Sequence, residues 1–99
     1  MDMDSSIRIT AKSGKVLMGK NASLEAARMR KARMIILANN TPATLKNDIE
    51  TYAKMSSIPV VGFPRSSQDL GALCGRPHSC SVLTIIEPGD SDILDFADQ

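Results

Sequence analysis

The chain has 99 residues, enough for one domain with a single core. With 42% hydrophobic and 23% charged residues, it cannot be collagen-like, low-complexity or fully disordered. The formal charge of +1 hides an asymmetry: residues 1–86 hold all 12 Lys and Arg and six acids, 12 − 6 = +6, whereas residues 87–99 hold five acids and no base. A basic body with an acidic tail points toward nucleic acid. A core this small leaves little room for an elaborate enzyme cleft. No apolar run approaches the roughly 20 residues of a membrane helix, so no membrane partner is expected. The start, Met1-Asp2-Met3-Asp4, is acidic and unlike a signal peptide, so an intracellular chain is expected.

Residues 6–12 are read as a short helix, with Ser5 or Ser6 as its cap, in preference to an irregular strand. Ser13-Gly14 is a turn, and residues 15–19 form a short strand ending in glycine. A helix is predicted over 22–31, its C-terminal end favoured by Arg28, Arg30 and Lys31. Met34-Ile35-Ile36-Leu37-Ala38 is a continuous apolar run, as expected of a central strand covered on both faces. Thr41 suits the cap and Pro42 the first position of the next helix. Leu45, Ile49, Tyr52 and Ala53 give that helix one apolar stripe. Lys46–Glu50 and Glu50–Lys54 are i,i+4 pairs on its other side. A third strand is predicted over 59–63, opening on Pro59. Ser66 or Ser67 caps a short helix carrying Leu70, Leu73 and Cys74, which Gly75 stops. Residues 79–86 form the last strand. The order αβαβαβαβ predicts an α/β fold, a three-layer α-β-α sandwich with a four-stranded mixed sheet, in a single domain over 1–99.

Two strand-to-helix loops carry the groups best suited to ligands, as is usual at the C-terminal ends of strands. Gly19-Lys20-Asn21 combines close backbone approach, a cation and an amide beside a helix start. It is neither a Walker loop nor a dinucleotide fingerprint. Asn39-Asn40-Thr41 places two amides after a buried strand, suited to base edges or sugar hydroxyls. Tyr52, Phe63 and Phe96 are too few for recognition by stacking on a sheet. Cys74 and Cys80 are wrongly spaced for a C-x-x-C site, and His78 alone does not complete a zinc set. A thiol–imidazole pair would also need an orienting group and an oxyanion hole, which nothing in the sequence flags. No catalytic residue, metal, cofactor or small-molecule substrate is expected.

Four blocks carry a resemblance. They are Ile36-Leu37-Ala38-Asn39-Asn40-Thr41-Pro42 with Asp48-Ile49-Glu50-Thr51-Tyr52-Ala53, Leu70-Gly71-Ala72-Leu73-Cys74-Gly75-Arg76, Ile85-Ile86-Glu87-Pro88-Gly89-Asp90-Ser91-Asp92-Ile93, and the earlier Met18-Gly19. In this order, across residues 15–93, the chain resembles the L-thirty e-type ribosomal proteins of archaea and eukaryotes. The resemblance implies the α-β-α sandwich of the kink-turn-binding superfamily. It also implies a cytoplasmic, ribosomal location, with ribosomal RNA and neighbouring ribosomal proteins as partners. The implied function is that of a structural constituent of the large subunit that binds a sharply kinked internal loop. A stand-alone RNA- or protein-binding module of the same fold is the alternative. By the same resemblance, the RNA site comprises Gly19, Lys20 and Asn21; Asn39, Asn40 and Thr41; and Arg76, Pro77, His78 and Cys80. Asn21 matches the Gly-x-Asn pattern of the wider superfamily, where nearer relatives often carry a basic residue.

Overall fold

The computed structural model describes residues 3–75, 79–89 and 93. Helices and strands alternate: α1 (Met3–Ser13), β1 (Lys15–Met18), α2 (Lys20–Arg28), β2 (Met34–Ala38), α3 (Ala43–Met55), β3 (Val60–Phe63), α4 (Ser67–Leu73) and β4 (Val82–Glu87). The strands form one mixed sheet in the order β1-β4-β2-β3. β2 and β3 are parallel, and β4 runs antiparallel to β1 and β2. The predicted class and element order hold.

The two-residue period of the strands divides the interior into two cores. β2 is buried at every position. Met34, Ile36 and Ala38 join Ile7 of α1 and Leu70 and Leu73 of α4 on one face. Ile35 and Leu37 join Ala26 and Ala27 of α2 and Ile49 and Ala53 of α3 on the other. Each fully buried Ile, Leu or Phe contributes about 1.5–3 kcal/mol, and β2 feeds both cores. Across the α2–α3 contact, the Ser56 hydroxyl donates to the Ala27 carbonyl at 2.8 Å.

Several boundaries differ from expectation. α1 starts at Met3, so Ser5 and Ser6 lie within it, and Ser6 is buried. α2 starts two residues early because Gly19 turns the chain directly into the helix. It ends early in a Schellman motif, with the Lys31 amide donating to Ala26 O at 2.9 Å and the Arg30 amide to Ala27 O at 3.2 Å. Arg30 there has φ 59°, a left-handed conformation that costs a residue with a Cβ about 1 kcal/mol. Pro42, not Thr41, is the N-cap of α3. Tyr52 stands at the margin of its stripe, 37% exposed, whereas Ile49 and Ala53 are buried. Glu50 pairs with Lys46 at 4.0 Å and not with Lys54. Pro59 precedes β3 rather than opening it, and β4 starts only at Val82. Ser66 is the cap of α4, accepting from the Asp69 amide at 3.3 Å.

The pairing register puts the C-terminal ends of β1 and β2 beside the start of β4, since Met18 lies opposite Leu83 and Leu37 opposite Val82. This is the loop end of the sandwich. At the opposite end Lys15 lies beside Glu87, and Gly14 packs against the backbone of Glu87 and Pro88. The acidic tail falls outside the described residues from Asp90 onward, except Ile93, which is buried in the α1–α4 core.

A Cβ on Gly14 would collide with the Glu87 carbonyl, whereas one on Gly62 would meet nothing within 4 Å. Gly14→Ala is therefore expected to lower stability by about 1–3 kcal/mol. Gly62→Ala should leave it unchanged or raise it by up to about 1 kcal/mol. Urea unfolding midpoints of the two variants check this contrast.

Candidate nucleic-acid interface

Gly19 adopts φ 101° and ψ 162°, a region essentially reserved for glycine. No side chain caps α2. The first amide to bond back into the helix is that of Ser23, to Gly19 O at 3.2 Å. The amides of Lys20, Asn21 and Ala22 precede it and have no acceptor within the helix. Asn21 sits in this first turn with its side chain exposed. α3 also begins at this end, so two helix N-termini give it positive potential from backbone dipoles alone.

The second loop is fixed by its own polar side chains. The Asn39 amide nitrogen Nδ2 donates to Pro64 O at 3.0 Å. Asn40 Oδ1 accepts from the Ser67 amide at 2.8 Å, at the start of α4. Thr41 Oγ1 lies 2.7 Å from Ala38 O and 3.1 Å from Ser81 O, a hydroxyl used inside the loop. Both asparagines are exposed, so each has a structural bond on one side and solvent on the other.

The third segment reaches the same place. The Cys80 amide donates to Ser67 O at 2.8 Å, and its thiol donates to Val82 O at 3.2 Å. The Gly19 amide lies 3.3 Å from that same Val82 O. The structure thus gathers Gly19, Lys20 and Asn21, then Asn39, Asn40 and Thr41, and Cys80 at one end. Arg76, Pro77 and His78 lie outside the described residues. The Cys80 side chain is buried and turned into the core, so its thiol acts as an anchor of the segment.

Sequence reasoning missed two features. Arg65 stands next to the Asn39 loop, 5.3 Å from the centre of the Phe63 ring and ion-paired with Asp4 of α1. The pair spans 61 residues, and nothing local in the sequence announces it. The second is charge. Of the described cations, Lys20, Lys46 and Arg65 lie at the loops, the last two ion-paired, while Lys15, Arg30, Lys31 and Arg33 lie at the opposite end.

A three-layer sandwich with a mixed sheet and convergent loops at one end defines the class of protein. The chain belongs to the ribosomal protein L7Ae/L30e/S12e/Gadd45 family, whose profile matches residues 1–95. It is 45% identical over 96 residues to the large ribosomal subunit protein eL30 of Methanosphaera stadtmanae, covering 97% of this chain and 98% of that one. Identity to the protein of the same name from Methanothermobacter thermautotrophicus is 40%, at the same coverage. With the Tetrahymena thermophila eL30 it is 36%, over 94% of this chain and 89% of that one. These relatives are named as ribosomal proteins, not enzymes, and the chain is not an enzyme.

The thiols fit that conclusion. Burial pushes the Cys80 thiol up from its ordinary value to about 11, and the neighbouring Cys74 acts in the same direction. Bonds with the Val82 and Gly19 backbone offset this only in part. Cys80 is protonated at neutral pH and is no nucleophile. Its raised value has a sign for stability: unfolded thiols ionise first, so the contribution is complete below about pH 9 and is lost as pH rises toward 11. The urea midpoint should therefore fall more steeply between pH 8.5 and about 10.5 in the parent chain than in Cys80→Ala, since all other groups titrate alike in both. Parallel pH profiles would contradict the burial argument.

Proposed function

We propose that the chain is a constituent of the large ribosomal subunit, and so of the cytoplasm, that binds ribosomal RNA at a kinked internal loop. The observation that carries the ribosomal reading is near full-length similarity to proteins named large ribosomal subunit protein eL30. Support for the RNA site comes from the three segments converging at the end toward which the α2 and α3 N-termini point. In this reading the exposed Asn21 amide reads the edge of a non-Watson–Crick pair, because an amide offers direction without charge. Lys20 and the first α2 amides hold phosphates. The outward sides of Asn39 and Asn40 contact sugar or base, while Thr41 and Cys80 keep the loops in place. Arg76, Pro77 and His78 pack against an extruded nucleotide. A preformed, rigid cluster of this kind selects a bent backbone by shape rather than by a linear base code.

Gel shifts of the isolated chain with kinked RNA and plain duplex of equal length test the site. Asn21→Ala is expected to cost about 1–3 kcal/mol on kinked RNA and little on duplex. Lys20→Ala should weaken both equally and make the log–log salt slope shallower by roughly one unit. Equal losses on both RNAs for Asn21→Ala would reduce that residue to a helix-turn element. Cosedimentation with large subunits after a high-salt wash separates a ribosomal constituent from a stand-alone module.

A further inference from the structure

Four exposed cations, Lys15, Arg30, Lys31 and Arg33, lie at the end of the sandwich opposite the loops, two of them beside the Glu87 carboxylate. Lys15 opens β1 directly across from Glu87 in β4. Arg33 precedes β2, its amide donating to Ile85 O at 2.8 Å and its guanidinium lying 3.7 Å from the Glu87 carboxylate. Arg30 and Lys31 follow α2 on the same side. Lys15 and Arg33 start strands on either side of β4, so they stand about 10 Å apart.

Helix stability does not account for these four. Lys12, Arg28 and Lys54 lie in the last turns of α1, α2 and α3, where they complement the C-terminal carbonyls. Lys15, Arg30, Lys31 and Arg33 lie outside every helix. Arg30 also occupies the left-handed position that glycine fills best, at φ 59°. No described aromatic ring stands among them, which favours phosphates over stacked bases as the ligand.

We propose that this end is a second RNA-binding surface, which grips the phosphate backbone of an RNA segment without reading its sequence. The chain then bridges two RNA elements, one at each end of the sandwich. Only the bridging rests on the proposed kinked-loop site; the surface itself does not. The ligand is RNA rather than an acidic protein because the cations are spread over two strand starts and a short loop, with no described aromatic ring among them, which suits a line of phosphates.

The test uses the full chain. Kinked RNA is immobilised, loaded with protein, and offered a labelled duplex RNA of unrelated sequence. The probe variant combines Lys15→Gln, Arg30→Gly and Lys31→Gln, and leaves the Arg33–Glu87 pair intact. Arg30→Gly alone serves as the folding control, with a melting temperature at or above that of the parent. The variant is expected to hold kinked RNA within about twofold of the parent, yet capture the duplex at least about tenfold less at 100 mM salt. Its log–log salt slope for duplex should be shallower by about two to three units, one for each cation removed. Equal capture by parent and variant overturns the proposal. So does capture that appears only after Asp90, Asp92, Asp95 and Asp98 are all changed to Asn, since the tail would then occupy this end. Where the kinked RNA is not held, the kinked-loop reading fails by itself, and direct titration of free duplex with both proteins tests the surface alone. Weaker duplex binding by the variant then upholds the surface, and equal binding overturns it.

Discussion

Two consecutive carbonyl groups at the start of β4 hold the loop end together. Ser81 O accepts from the Ala38 amide at 2.9 Å and lies within reach of the Thr41 hydroxyl. Val82 O accepts from the Cys80 thiol and the Gly19 amide. Two segments far apart in sequence thus hang from one dipeptide, with Cys80 tied in beside it. This is possible because β4 inserts between β1 and β2, antiparallel to both, so that its beginning meets their ends. The crossover that completes the sheet is also what brings the candidate site residues together.

The cost of that assembly falls on side chains that a sequence reader would assign wholly to ligand. Asn39 and Asn40 look like base-reading amides, and each spends one group on the β3–α4 connection. Thr41 spends its hydroxyl on the carbonyls of Ala38, which ends β2, and Ser81, which precedes β4. Thr41, half-buried at a crowded strand end, takes its partners from whatever the topology delivers.

This separates what was legible in the sequence from what was not. β2 was legible because five consecutive apolar residues leave no polar face. The short α4 was legible because Ser66 and Gly75 bracket it. Loop positions 19–21 and 39–41 follow from strand-then-helix order alone. Boundaries of α1 and α2 were not legible, because Met3 to Ser5 lack a sharp start signal and Arg30 fills a stop position without being glycine. The Arg65–Asp4 pair was invisible because it depends on how α1 lies against the end of β3. Charge was misleading in a different way: its total and its run along the chain say nothing about which end of the sandwich receives it.

α2 and α3 both run from the loop end to the opposite end, because each follows one strand and precedes the next. Their exposed first amides therefore face the proposed kinked-loop site, and their carbonyl ends face away from it. Cations in the last turns of α2 and α3 answer those carbonyls. The loop end thus combines helix N-termini with Lys20, and the opposite end carries the larger share of the described basic side chains. Backbone dipoles are fixed in direction and act over a short range, which suits one shape held in one pose. Flexible ammonium and guanidinium groups reach further and tolerate varied geometry, which suits a phosphate chain of any sequence. In the proposed reading, one parallel pair of helices thus gives the chain a selective end and a permissive end, whatever its small net charge.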